Sequence, residues 1–128
     1  MLENADLGKL IVRLTLGGLI LFHGISKLFH GVGFVESQLA SHGLPTILAY
    51  GVYVGEVLAP LMVLLGYHTR IGALLIAINM IVAIALVHTG QLLSLSQTGG
   101  WALELQGFFL FIALSVIFLG PGRYKLHS

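Results

Sequence analysis

The stretch 47-ILAYGVYVGEVLAPLMVLLGYHTRIGALLIAINMIVAIALVH-88 decides the fold. Glu56 and Arg70 are its only formally charged side chains. The polar link Tyr67-His68-Thr69-Arg70 after Gly66 divides it into two apolar runs, 47–66 and 71–88. Each has about the 17 to 25 residues that a helix needs to cross a hydrocarbon layer about 30 Å thick. Periodicity does not separate helix from strand in runs this uniform, but length does. In hydrocarbon every backbone N–H and C=O must be paired within the segment, so a 20-residue apolar run is a helix.

Two further runs flank this pair, at 10–29 and 101–119. The expectation is an all-α chain, a single domain over 1–128, forming a four-helix transmembrane bundle. The first run is expected to be retained and not cleaved, since it is long for a signal peptide, carries Lys27 at its far end and lacks a small-residue cleavage site. Gly43 and Pro45 precede the second run, Gly99 and Gly100 lead into Trp101, and Gly120-Pro121-Gly122 stops the fourth. Between the first two spans, Phe34, Val35 and Leu39 in segment 30–46 predict a short amphipathic helix lying on the membrane surface. Composition agrees: 57% of the 128 residues are hydrophobic and 9% charged, against about 25% charged in soluble domains. The lipid bilayer is therefore the expected partner. A net charge of +1 supplies no basic face for nucleic acid. The absence of cysteine removes disulfides, thiolate metal sites and thiol relays from the chemistry of this chain alone.

Four spans put both termini and the 67–70 link on one side. That side holds Lys9, Arg13, Arg70, Arg123 and Lys125, and the other offers only Lys27 at its border. The bias predicts cytoplasmic termini, with Arg13 and Arg70 snorkelling toward headgroups and Arg70 and Arg123 setting topology. Gly51 and Gly55, together with Gly17, Gly18 and Gly24, offer surfaces for close helix approach, either inside the bundle or in a homo-oligomer.

Polar side chains at membrane depth cost about 2.5–3.5 kcal/mol each when charged, so they face the bundle interior and find partners. A rise of about 1.5 Å per residue puts His23, Lys27, His88, Glu104 and Gln106 in one layer of the outer half. Glu56 and Asn79 lie beneath it. His23 and Lys27 share a helix face by their i, i+4 spacing. Glu56 is the most informative of these, because a carboxylate at mid-depth must be protonated, paired or hydrated. Bland readings compete for the others: His88 as an interfacial residue, Asn79 as an interhelical hydrogen bond worth about 0.6 kcal/mol. His23, His88, Glu56 and Glu104 are metal-ligand types, but no compact ligand pair occurs within a span, and no metal is assigned.

Taken in order along the chain, these residues resemble the DoxX family of small membrane proteins. The resemblance runs through Arg13, Leu14, Gly17, Gly18, Gly24 and Lys27, then Gly55, Glu56 and the run Leu64-Leu65-Gly66-Tyr67-His68-Thr69-Arg70. It closes with His88, Gly100, Trp101, Glu104 and Gly120-Pro121-Gly122-Arg123-Tyr124. The serine and aspartate familiar after the last tyrosine are replaced by Lys125 and Leu126. The resemblance implies a four-helix protein of the bacterial inner membrane. It also implies kinship with membrane oxidoreductase complexes, including a thiosulfate:quinone oxidoreductase subunit.

Two function classes follow. In the first, the chain is a quinone-linked subunit of a membrane oxidoreductase. His23 and Lys27 are then hydrogen-bond donors to the quinone, Glu56 and Glu104 carry protons, and Asn79, His88 and Gln106 complete the ligand site. No flavin or haem motif is evident, so electrons would come from a redox partner protein or a bound cofactor. In the second, the chain is a non-enzymatic membrane scaffold or small-molecule carrier whose buried polar residues fix helix register.

Overall fold

The computed structural model describes residues 4–87 and 104–127. Helix α1 (Ala5–His30) starts at Asn4, whose side chain accepts the Leu7 N–H at 3.0 Å, an ordinary N-cap. It ends at Gly31, whose φ of 81° a side chain would resist and whose N–H closes on the Lys27 carbonyl at 2.7 Å. Helix α2 (Gly33–Ser41) follows at once. Helix α3 (Thr46–Leu65) opens with a 3₁₀ turn after Pro45. Gly66, at φ 72°, ends α3 and turns the chain into α4 (Thr69–Val87). Helix α5 (Glu104–Leu119) is stopped by Gly120 and Gly122, both at φ 76°.

The expected runs therefore correspond to α1, α3, α4 and α5. The 101–103 start of the fourth run, with Trp101, lies outside the described residues. Of the described helices, α3 and α4 are long and apolar enough to cross a membrane. Helix α1 carries Asp6, Lys9, Arg13 and Lys27 along its length, and the apolar part of α5 runs only over Leu105–Leu119.

Helices α1 and α3 lie antiparallel, with Gly17 against Leu64 and Gly24 against Glu56. Helices α3 and α4 do the same, with Gly55 against Asn79 and Gly72 against Ala59. Helix α5 packs on α4 and α1. Leu16 and Ile20, Ala59 and Val63, Ala73, Ile76 and Met80, and Phe109, Ala113 and Val116 form one buried core drawn from all four helices. The outer surface is just as apolar: Phe118 is 83% exposed, Phe22 71% and Ile47 71%. A helix that is apolar all round is one built for a nonpolar solvent.

Close approach uses some of the expected glycines and not others. A Cβ on Gly24 would sit 1.9 Å from the Glu56 carbonyl oxygen, and one on Gly55 would sit 2.6 Å from Asn79. Gly18 and Gly51 have nothing within 4 Å of that position among the described residues, so neither is a point of close helix approach there. The short helix expected in 30–46 is α2, with Leu39 buried against Ala49, Tyr53 and Leu86 and Phe34 left exposed.

At the basic end Arg13 differs from its expected role. Arg13 is 1% exposed and does not snorkel. Its guanidinium donates to the carbonyls of Val63 at 3.0 Å, Leu64 at 3.2 Å, Pro121 at 3.0 Å, and Tyr124. A planar fork with five donors suits a fan of carbonyls, so Arg13 caps α3 and fastens the C-terminal segment to it. Arg70 donates to the Ile117 carbonyl at 2.8 Å and so serves the end of α5. The segment is also held where His68 N–H donates to the His127 carbonyl at 2.8 Å and where Arg123 N–H donates to Asp6 at 3.2 Å.

Candidate functional site

The local sequence of α3 explains how a carboxylate comes to stand where it does. Pro60 has no N–H and its ring crowds the carbonyl four residues back, which is that of Glu56. The helix answers by widening over Val54–Leu58 into a π turn, in which the Ala59 N–H bonds the Val54 carbonyl. The displaced Glu56 carbonyl comes against α1 at Gly24, where any side chain would collide with it. Gly24 and Pro60 thus set the rotation and height of Glu56.

The Glu56 side chain, in a residue only 6% exposed, is shared between two helices. Lys27 Nζ on α1 lies 2.5 Å from Oε1, and Asn79 Nδ2 on α4 donates to Oε2 at 2.9 Å. One carboxylate therefore links α1, α3 and α4 through both its oxygens. Tyr53, one turn before Glu56, donates its hydroxyl to the Lys27 carbonyl at 3.1 Å and steadies the end of α1 that carries the ammonium.

This triad lies on the wall of a cavity of about 290 Å³, a volume near the lower end for small-molecule sites. His23, Gln106 and Gln38 are the other polar side chains facing it, and Ile20, Met80 and Phe109 contribute to its apolar lining. His23 packs edge-on against the Phe109 ring, with centroids 6.0 Å apart. The Lys27 side chain keeps 29% exposure, and an ammonium has three N–H donors, of which Glu56 takes one. The site can thus offer a donor and an acceptor side by side at the edge of an apolar slot.

Of the residues expected to form a site, Lys27 and Asn79 both contact Glu56, and His23 and Gln106 face the same cavity. Glu104 is the first residue of α5. His88 lies outside the described residues. The expected layering separated Lys27 from Glu56 by depth, but the four-carbon stem of Lys27 closes that gap. Gln38 and Tyr53 were not anticipated. Tyr53 lies three residues before Glu56, on the same helix face, and that spacing was a usable signal. Pro60, four residues after Glu56, was another.

A family model described as DoxX matches residues 8–89, which is most of the chain but stops before α5, whereas the resemblance read from the residues runs to Tyr124. "Putative oxidoreductase CatD" of Bacillus subtilis (strain 168) is 33% identical over 68% of this chain and 64% of its own length. The match thus spans under two thirds of that relative. "Uncharacterized membrane protein Rv3486" of Mycobacterium tuberculosis is 31% identical over 90% of this chain and 76% of its own length. No solved structure matches the chain.

Proposed function

The chain belongs to the DoxX family, and on that premise we propose that it is a four-span inner-membrane protein that binds a quinone headgroup as the membrane subunit of an oxidoreductase. The carrying observation is Glu56: a buried carboxylate, held by Lys27 and Asn79, on the wall of an otherwise mainly apolar cavity. Four spans put the Lys27 end of the bundle outside and the Arg13 end, with both termini, in the cytoplasm.

A quinone needs a flat apolar slot, a donor for each carbonyl oxygen and a route for two protons when it takes up two electrons. In this reading Lys27 donates to one carbonyl oxygen while staying paired with Glu56. Once Lys27 has given its proton to the quinone, the Glu56 carboxylate takes up a proton from the aqueous side and passes it to the neutral amine, which restores the ion pair. His23 supplies the second proton, and Asn79 holds the carboxylate in place as its charge changes. His23 and Gln106 serve the second oxygen. The electrons come from a partner protein, in keeping with a chain that has no cysteine of its own. The name of the Bacillus subtilis relative supports an oxidoreductase setting.

The contact of Lys27 with Glu56 also favours a second reading, in which the triad only pins three helices in register and the chain is a scaffold or carrier. Purification in native lipid followed by extraction of bound small molecules separates the two. The redox reading expects co-purified quinone in the wild type and its loss in Glu56→Gln and Lys27→Met variants that remain folded. Recovery of lipid alone from the wild type would leave only the scaffold or carrier reading.

A further inference from the structure

A second depression lies on the outer side of the α3–α4 pair, with a volume of about 440 Å³ and a wall that is apolar except for Asn79. It adjoins the polar cavity: Val35, Val52, Asn79, Val82 and Leu86 line both and form the wall between them. The helix geometry explains where the groove lies. Helices α3 and α4 are in tight contact where Gly72 meets Ala59 and where Gly55 meets Asn79. One turn further toward α2, at Gly51, a Cβ would find nothing within 4 Å. The two helices thus part above the Gly55–Asn79 contact, and α2 with Leu39 and Leu44 covers the top of the gap. On the α3 side Leu48, Val52 and Val54 line the groove, and Gly51 leaves a gap among them. The exposed faces of Leu48, Val54 and Ile78 continue it outward.

We infer that this groove holds the isoprenoid tail of the quinone, which enters sideways from the bilayer between α3 and α4. The inference rests on the quinone reading of the Lys27–Glu56–Asn79 site and names which molecules of that class it takes. A head in the polar cavity and a tail in the groove would share the wall at Asn79. The apolar wall gives a tail nothing to hydrogen-bond, so it selects by length and shape and not by tail chemistry. Cavity and groove together reach the range of about 300–1,000 Å³ usual for small-molecule sites. The same opening lets a membrane-dissolved ligand arrive without crossing water.

Gly51→Leu tests this, because a Cβ there meets nothing within 4 Å among the described residues, the longer side chain occupies the groove, and Gly51 is not part of the triad. Ile78→Phe narrows the groove from α4 and serves if the first variant does not fold. Each protein is placed in lipid nanodiscs and titrated with two probes, a decyl-tailed benzoquinone and the same dimethoxy-methyl benzoquinone without a tail. Affinities are corrected for partition into empty nanodiscs. The wild type should prefer the tailed probe at least tenfold, and the groove variants should lose that preference while binding the tail-less probe within twofold of wild type. Equal binding of both probes by the wild type, or a tailed-probe affinity unchanged by Gly51→Leu and Ile78→Phe, would overturn the groove alone. Failure of the wild type to bind either probe would overturn the headgroup reading and the groove with it.

Discussion

Gly24→Ala is the smallest change that tests how α1 and α3 are held together. The added methyl would stand 1.9 Å from the Glu56 carbonyl oxygen, 2.6 Å from its carbon and 2.8 Å from a Val57 methyl. Two of these three contacts are backbone atoms, which cannot rotate away. Relief requires the helices to move apart by about 1 Å, and overpacking of this kind costs about 1–3 kcal/mol. The displacement falls one turn from Lys27, so the 2.5 Å contact between Lys27 and Glu56 should lengthen with it. Gly18→Ala is the matched control: its Cβ meets nothing within 4 Å, and exchanging glycine for alanine in a helix gains up to about 1 kcal/mol. Unfolding of both variants in mixed micelles by added dodecyl sulfate measures the difference directly. Gly24→Ala should lose about 1–3 kcal/mol, and Gly18→Ala should equal or exceed the wild type. A Gly24→Ala protein as stable as the wild type would refute the close approach of the two helices at Glu56.

Three further outcomes follow from the structure. Arg13→Leu strips the donors from the carbonyls of Val63, Leu64, Pro121 and Tyr124. It should cost more than about 2 kcal/mol and speed hydrogen exchange over residues 120–127, and Arg13→Lys should restore little because an ammonium lacks the planar fork. Asn79→Ala should cost about 0.6 kcal/mol, with an upper bound of about 1.7 kcal/mol, since Glu56 keeps Lys27; a larger loss would mean that Asn79 and not Lys27 is the principal partner. The natural absence of cysteine makes topology simple to read: Ser41→Cys in intact cells should react with an impermeant maleimide and Leu126→Cys should not, and the reverse pattern would invert the proposed orientation.

The helices were legible in the sequence because their cause is local. Runs of apolar residues of membrane length, stopped by Gly66 or by Gly120-Pro121-Gly122, need no tertiary information to be read. The pairing of Lys27 with Glu56 was half legible: both residues stood out as costly at depth, but contact depends on how α1 and α3 are rotated. That rotation is set by Gly24 and by the π turn that Pro60 imposes. Pro60 was visible in the sequence, and its effect on the carbonyl of Glu56 follows from ring geometry alone. Arg13 was not legible in the same way. Its partners are backbone carbonyls that carry no side-chain signature and converge only when the glycine turns at 120 and 122 fold the C-terminal segment back onto α3. Gly18 and Gly51 look the same in sequence as Gly24 and Gly55, and only packing separates the pairs.

In the proposed function Lys27, poised by Glu56, donates a hydrogen bond to a quinone carbonyl. Infrared difference spectroscopy of the protein in nanodiscs, with quinone carrying a carbon-13 label at one carbonyl, tests it most directly. The labelled carbonyl stretch should lie below its position in empty lipid and return to that position in Lys27→Met. A band at the lipid position in the wild type itself, or a shifted band that survives Lys27→Met unchanged, would contradict it.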